Sequence, residues 1–448
     1  MNHSYPKDLA KFVHQRWDQA SSVSGDPAIT VETPVGGLPP LPVLEEIIST
    51  CYQASLMRDE QRQVMLRLIV SNPEQFAVDD GPPNGLQPLI FNEYRLFSAN
   101  ELRRLSPAAG FYRSLVGINL DSNHNPSIWG IIQSGPHWLR ALRGGRGTPS
   151  TLPPHLVLYI TGPGRIEVNK GSTTVGQLRD GMVFGPSMNV LDSKWLSLAF
   201  ASTRQELMDL HTAERKMHGQ NWAILDPEVT RIIGQHTLKR IIASMRNFEH
   251  GGTLLIVPSE MSNQFNSKNP YLSFKYRFTE GYARLRFHSL MLKIMNTLAS
   301  THCLDSKSKQ ELPQVGWHEY AASQDESLIE LDEGIFEMAH LIAGLSTVDG
   351  AVVMTKRFEL LGFAGEIGCS AADVNQVARA GDLEADIFVL ESTERVGTRH
   401  RSVYRFCNEV HDAIGIVVSQ DGGVRIISWK NDRVTYWDHQ ATTSSLDF

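Results

Sequence analysis

Two short motifs late in the chain carry side chains suited to anion and metal chemistry. Asp349-Gly350-Ala351 follows a helical pattern and opens the apolar run Ala351-Val352-Val353-Met354, which reads as a buried strand. Gly397-Thr398-Arg399-His400-Arg401 opens an amphipathic helix in which Val403, Phe406, Cys407 and Val410 recur at i, i+3, i+4 and i+7. With Thr398 as its N-cap, unpaired backbone N–H groups and the positive end of the helix dipole would lie beside three basic side chains. Such a helix start suits a polyphosphate. An aspartate at a strand mouth facing it is the minimum equipment for metal-assisted chemistry on a nucleotide.

These motifs need elements to present them. Asp226-Pro227 starts a helix whose apolar face is Val229, Ile232, Ile233, Leu238, Ile241, Ile242 and Met245. His250-Gly251-Gly252 ends that helix and starts the strand Gly252 to Val257. A second helix, about Leu328 to Leu345, leads into Asp349. The strand Ile414 to Ser419 runs into Ser419-Gln420-Asp421-Gly422-Gly423, which serves either as a hairpin turn or as the mount for a metal-binding Asp421. Between the first strand and second helix, about 262–325, the chain carries an insert with a strand over Tyr271 to Phe278 and a helix over Tyr282 to Leu298. Its Lys275, Arg277, Arg284 and Arg286, interleaved with aromatics, read as part of an amphipathic strand and helix, with a nucleic-acid surface as the alternative. The loop from Gly368 to Val396, with Asp373, Asp382, Glu384 and Asp386, reads as solvated surface.

Ahead of this region, residues 1–226 form a separate α+β domain with 1–41 as an arm or linker, ending in Thr33-Pro34-Val35-Gly36-Gly37-Leu38-Pro39-Pro40. A helical pattern runs from about Pro42 to Val70. Strands follow at Leu156 to Ile160, Arg165 to Val168 and Met182 to Phe184, with turns at Gly162-Pro163-Gly164 and Asn169-Lys170-Gly171. The fold class is therefore α/β, a C-terminal mixed sheet flanked by helices behind an N-terminal α+β domain.

The composition, 41% hydrophobic and 20% charged, is that of a globular protein, and 448 residues exceed one ordinary core. A net charge of −7 argues against a general nucleic-acid binder. Cys51, Cys303, Cys369 and Cys407 lie far apart with no zinc spacing, which fits a reducing cytoplasm. No apolar run approaches the ~20 residues of a membrane span, so no membrane partner is expected.

Over about Val229 to Trp437 the chain resembles the diadenylate cyclase (DAC) domain, on the strength of the two motifs in order and each on its expected element. The resemblance implies condensation of two ATP into cyclic di-AMP across a face-to-face dimer. It assigns Asp349, Gly350 and Ala351 to catalysis, with Asp349 and Asp421 on Mg²⁺ or Mn²⁺. It gives Gly397, Thr398, Arg399, His400, Arg401 and Ser419 to the phosphates, and Gly362, Gly365 and Ile367 to the adenine side. Gln420 departs from the family, which often has an acid there. This leaves two alternatives: a silent nucleotide-binding sensor, or a cyclase with another base. Some members have N-terminal membrane helices and others a C-terminal DNA-binding region, and neither is read here. Residues 1–226 hold the position of the sensor domains that often precede such cyclases.

Overall fold

A computed structural model describes residues 3–19, 37–77, 80–82, 85–135, 152–186, 188–218, 221–248, 250–264, 269–303, 311–368, 374–394, 396–420 and 422–439. Contacts divide the chain into two units, Met1–Arg140 with Pro149–Ser187, and Ala141–Thr148 with Met188–Phe448. The division falls earlier than the boundary read at Pro227. Helices Lys194–Ala199 and Ala201–His218 contribute Leu196 and Leu207 to the core that also holds Leu238 and Ile242.

Among the described residues, the first unit has an eight-stranded sheet. Its middle strands are Leu156–Gly162, Leu66–Val70 and Ser114–Leu120. Helices Pro6–Arg16, Leu41–Ser55 and Ala99–Leu105 bury Leu9, Val13, Leu44, Ile48 and Leu102 in one core with Leu66, Leu68, Val116 and Leu158 of the sheet. Alternation along a strand sends the intervening residues to the opposite face. There Arg67, Tyr159 and Glu167 are neighbours in register across three strands, all buried. Arg67 Nη2 donates to Ser134 Oγ at 2.8 Å, and Thr174 Oγ1 donates to Glu167 Oε1 at 2.9 Å. Burial lowers the Arg67 pKa to about 10 and raises that of Tyr159 to about 12, so Tyr159 is neutral at physiological pH.

The helix expected over Pro42 to Val70 stops at Ser55. Glu60, at φ 55°, turns the chain in a short hairpin, and Leu66–Val70 becomes a central strand paired on both sides. Leu-Arg-Leu-Ile-Val fits either periodicity, and its neighbours in the sheet decide for β. The sequence reading also missed the strand Thr173–Arg179. The arm residues 20–36 and Cys369 lie outside the described residues. Cys51 and Cys407 are buried thiols and Cys303 an exposed one, and none of the three is in a disulfide with a described residue.

The second unit has a nine-stranded mixed sheet among its described residues. Its strand order is Leu272–Arg277, Leu360–Ile367, Ala351–Thr355, Gly252–Val257, Ile414–Val418, Val424–Lys430, Arg433–His439, Gln376–Ala380, Phe388–Ser392. Leu254, Ile256, Val352, Met354 and Ile416 belong to one core, with helices Glu228–Asn247, Arg286–Thr301 and Glu326–Leu345. Leu255, Val257, Val353, Val417 and Ile427 belong to another, with helix Thr398–Glu409. Helices thus cover both faces of a mixed α/β sheet. The expected loop between Gly368 and Val396 instead supplies the last two strands at one edge of the sheet, Gln376–Ala380 and Phe388–Ser392. Two of its acids brace this ribbon: Asp382 Oδ1 accepts from the Ile387 N–H and Glu384 Oε1 from the Lys194 N–H. Asp373 lies outside the described residues. Among the described residues no helix is long and apolar enough to cross a membrane.

Candidate functional site

Sheet register determines which motif residues meet. Gly252–Val257 runs parallel to Ala351–Thr355, with Leu254 beside Val352, so two residues earlier Gly252 lies level with Gly350. On its other side Gly252 pairs with Val418, the last residue of its strand. Ala351 pairs with Gly365. One end of the sheet therefore gathers Asp349-Gly350-Ala351, Gly251-Gly252, Ala364-Gly365 and the Ser419-Gln420 turn.

Helix Glu326–Leu345 carries Asp349 to this edge. It starts at an Asp325 N-cap, whose carboxylate accepts from the Leu328 N–H at 3.1 Å. A buried ion pair fixes its position: Arg240 Nη2 lies 2.7 Å from Asp332 Oδ2, and Tyr320 Oη donates to the other oxygen at 2.9 Å. At the helix end, Ser346 lies so close to Gly252 that a Cβ there would sit 2.6 Å from Ser346 Oγ. Asp349 and Gly350 are exposed, and Ala351 is buried.

Gly350 has φ 112°, and a Cβ on it would lie 2.7 Å from the Ala364 carbonyl carbon and 3.0 Å from the Gly365 nitrogen. Opposite it, Ala364 holds φ 51°, a left-handed conformation that strains a side chain bearing Cβ. The register slips on either side of Val353 along this pair of strands. A bulged, strained backbone thus sits directly behind Asp349.

Arg399 reaches the same edge from the other face of the sheet. A Cβ on Gly251, whose φ is 69°, would lie 2.7 Å from Arg399 Nη1, 2.8 Å from the Val418 carbonyl oxygen and 3.1 Å from the Gln420 nitrogen. The guanidinium therefore rests over the turn that starts the Gly252–Val257 strand. Neither Arg399 nor Arg401 forms an ion pair with a described residue, and both are half-buried. Val403, Tyr404, Phe406 and Cys407 anchor their helix to the sheet. Its N-cap is Gly397 and not Thr398, which occupies the first helical position. Glycine serves in that role, and the first-turn N–H groups still lack partners within the helix. The Arg401 N–H reaches the Gly397 carbonyl at 3.2 Å. The His400 ring lies 6.4 Å from that of Tyr404.

Ser419 opens a hairpin turn. Its N–H donates to the Gly423 carbonyl at 2.8 Å and its carbonyl accepts from the Gly422 N–H at 2.9 Å. Arg246 Nε, at the end of helix Glu228–Asn247, donates to the Gly422 carbonyl at 3.0 Å. Asp421 lies outside the described residues. Of the adenine-side residues, Gly365 is at the shared edge. Gly362 lies further along its strand, against the Tyr276 carbonyl, and Ile367 pairs with Leu272 beyond the DGA strand. Sequence reasoning did not assign Gly251, Ser346 or Arg246 to the site. Gly251-Gly252 beside the end of a helix was the available signal.

No group of three His, Cys, Asp or Glu residues with metal-binding geometry occurs among the described residues. A nucleotide-bound Mg²⁺ needs only one or two protein carboxylates, because phosphates and water complete its shell. The exposed Asp349 carboxylate at the strand mouth fits that demand.

Comparison with known proteins extends the picture to the first unit. Residues 33–133 match a family described as the probable sensor domain DACNV. The matched segment spans helix Leu41–Ser55 and strands from Leu66–Val70 to Pro126–Gln133, and includes Arg67. No curated protein and no solved structure matches the chain.

Proposed function

We propose that the second unit is a diadenylate cyclase, condensing two ATP into cyclic di-AMP and two pyrophosphates under control of the sensor segment. The observation that carries this reading is the Arg399 guanidinium against Gly251, one strand away from Asp349-Gly350. A cationic helix start and an exposed carboxylate then share one sheet edge, at the spacing of neighbouring strands. The sensor match at 33–133 supports a regulated enzyme.

One domain binds one ATP, whereas the product has two phosphodiester bonds, so two domains must face each other. In each half-reaction the ribose 3′-oxygen of one ATP attacks the α-phosphorus of the other. The bond from that phosphorus to the pyrophosphate oxygen breaks, and the 3′-hydroxyl proton leaves. Asp349 would lie beside that hydroxyl in the loaded site and favour loss of its proton. Arg399, Arg401 and the N–H groups of the helix start neutralise the departing pyrophosphate. Gly350 leaves the backbone open to close approach by the nucleotide. Asp349 is the side chain that would hold a Mg²⁺ or Mn²⁺ ion, which would contribute charge neutralisation and a more acidic attacking hydroxyl.

The second reading, a nucleotide sensor that makes no product, is motivated by Gln420 at a position often acidic in the family. Incubation with ATP, and separately with other nucleoside triphosphates, followed by mass analysis of products distinguishes it from the cyclase and from an enzyme of different base choice.

A further inference from the structure

Away from the DGA edge, helices Arg286–Thr301 and Glu326–Leu345 frame a cleft of about 420 Å³. The helices approach closely at Gly334, where a Cβ would meet Leu290 Cδ2 at 3.1 Å, and the cleft is lined from Leu290 outward. Its size is within the usual range for small-molecule sites. Two exposed cations line it, Arg286 and Lys293, two turns apart on one helix. Neither makes a hydrogen bond or ion pair with a described residue. The other polar lining groups are Asn296, Thr297, Ser327 and Glu330. Asn296 Oδ1 is engaged by His211 Nδ1 at 2.7 Å, which leaves its amide N–H as the group it can offer a ligand.

This lining is rich in donors for phosphate oxygens: a planar guanidinium, an ammonium, an amide and two hydroxyls. It also has one carboxylate, Glu330, which accepts hydrogen bonds and repels a second anionic group. Leu290 and Leu331 supply apolar surface. We infer that the cleft between these helices binds a small hydroxylated phosphomonoester, with its phosphate on Arg286 and Lys293 and its hydroxyls on Glu330. The helix that contributes Ser327 and Glu330 in its first turns ends at Leu345, next to the DGA motif. The cleft is therefore positioned as an effector site for that edge. This last consequence rests on the catalytic reading, whereas binding itself does not.

The test is calorimetric titration of the full chain, at matched ionic strength, with glucose 6-phosphate, inorganic phosphate and glucose. Saturable binding of glucose 6-phosphate is expected, at least tenfold tighter than inorganic phosphate and with glucose silent. Arg286→Ala with Lys293→Ala should weaken both anions at least tenfold. Glu330→Gln should weaken glucose 6-phosphate alone, and Arg399→Ala with Arg401→Ala should change neither. All of these side chains are exposed or half-buried, and circular dichroism checks that the variants remain folded. Absence of saturable binding would overturn the inference. So would binding that survives the Arg286/Lys293 change, binding that is lost with Arg399 and Arg401, or glucose 6-phosphate binding no tighter than inorganic phosphate.

Discussion

At the scale of single residues, the site depends on close approaches that tolerate no added atoms. Gly350→Ala would force Cβ against the Ala364 backbone at a φ of 112°. A loss of about 1–3 kcal/mol is expected in chemical denaturation, with activity falling further because Asp349 is displaced. A variant as stable as the parent would show that this backbone is not constrained. Arg399→Ala with Arg401→Ala should weaken ATP binding by at least about tenfold in calorimetry, since each charge-assisted contact contributes roughly 1.5–3 kcal/mol. Unchanged affinity would remove the helix start from the phosphate site. The residues of both motifs were legible as candidates in the sequence because the motifs stand in order, each beside the helix or strand that presents it. Arg246 was not, because its partner, the Gly422 carbonyl, is a backbone atom more than a hundred positions away.

Among the elements, stability should respond to pH through two shielded imidazoles, the buried His439 and the half-buried His236. His439, near the end of strand Arg433–His439, accepts a hydrogen bond at Nδ1 from the Val190 N–H at 3.2 Å. Burial, then Lys239 and Arg246, lower its pKa to about 3. His236, stacked on Trp317 with ring centres 4.1 Å apart, is likewise lowered to about 3 by burial, then by Lys239 and Arg240. The unfolded chain takes up these protons near the ordinary value of 6.5, and the folded chain does not. Between about 6.5 and 3 the unfolded state binds more protons, so stability is complete above that window and falls as pH drops through it. A lower midpoint of thermal unfolding is expected at pH 5 than at pH 7.5, less so in a His439→Gln chain, whose amide remains neutral. Equal midpoints in the parent would contradict neutral, shielded imidazoles. Helices with long apolar faces, such as Glu326–Leu345, were legible from their period. Leu66–Val70 was not, since only its partners in the sheet reveal a strand. The Gln376–Ala380 and Phe388–Ser392 ribbon was hidden among acids and exposed apolar residues, which follow neither period.

At the scale of the molecule, the proposed reaction needs two catalytic units to cooperate. Mixing an excess of an Asp349→Asn chain with the parent should depress its activity, because most parent subunits then face an inactive partner. Purely additive activity, with subunit exchange verified, would count against a shared site. Length alone suggests roughly two to three domains, and contacts divide the chain into two units whose boundary falls before Pro227. Helices Lys194–Ala199 and Ala201–His218 precede the family-like segment and still bury Leu196 and Leu207 in its core.

The central claim is that Asp349 and the Arg399 helix start serve one reaction at one sheet edge. The most direct measurement is incubation of the purified chain with ATP and Mg²⁺ or Mn²⁺, with mass identification of the nucleotide product and quantification of pyrophosphate. Cyclic di-AMP is expected, with two pyrophosphates per product. Asp349→Asn should lose at least nine-tenths of turnover, since removing such a group costs at least about 2–4 kcal/mol of barrier. An Asp349→Asn chain that keeps its turnover, or a parent that binds ATP and forms no cyclic di-AMP with either metal at any enzyme concentration, would overturn the proposed reaction.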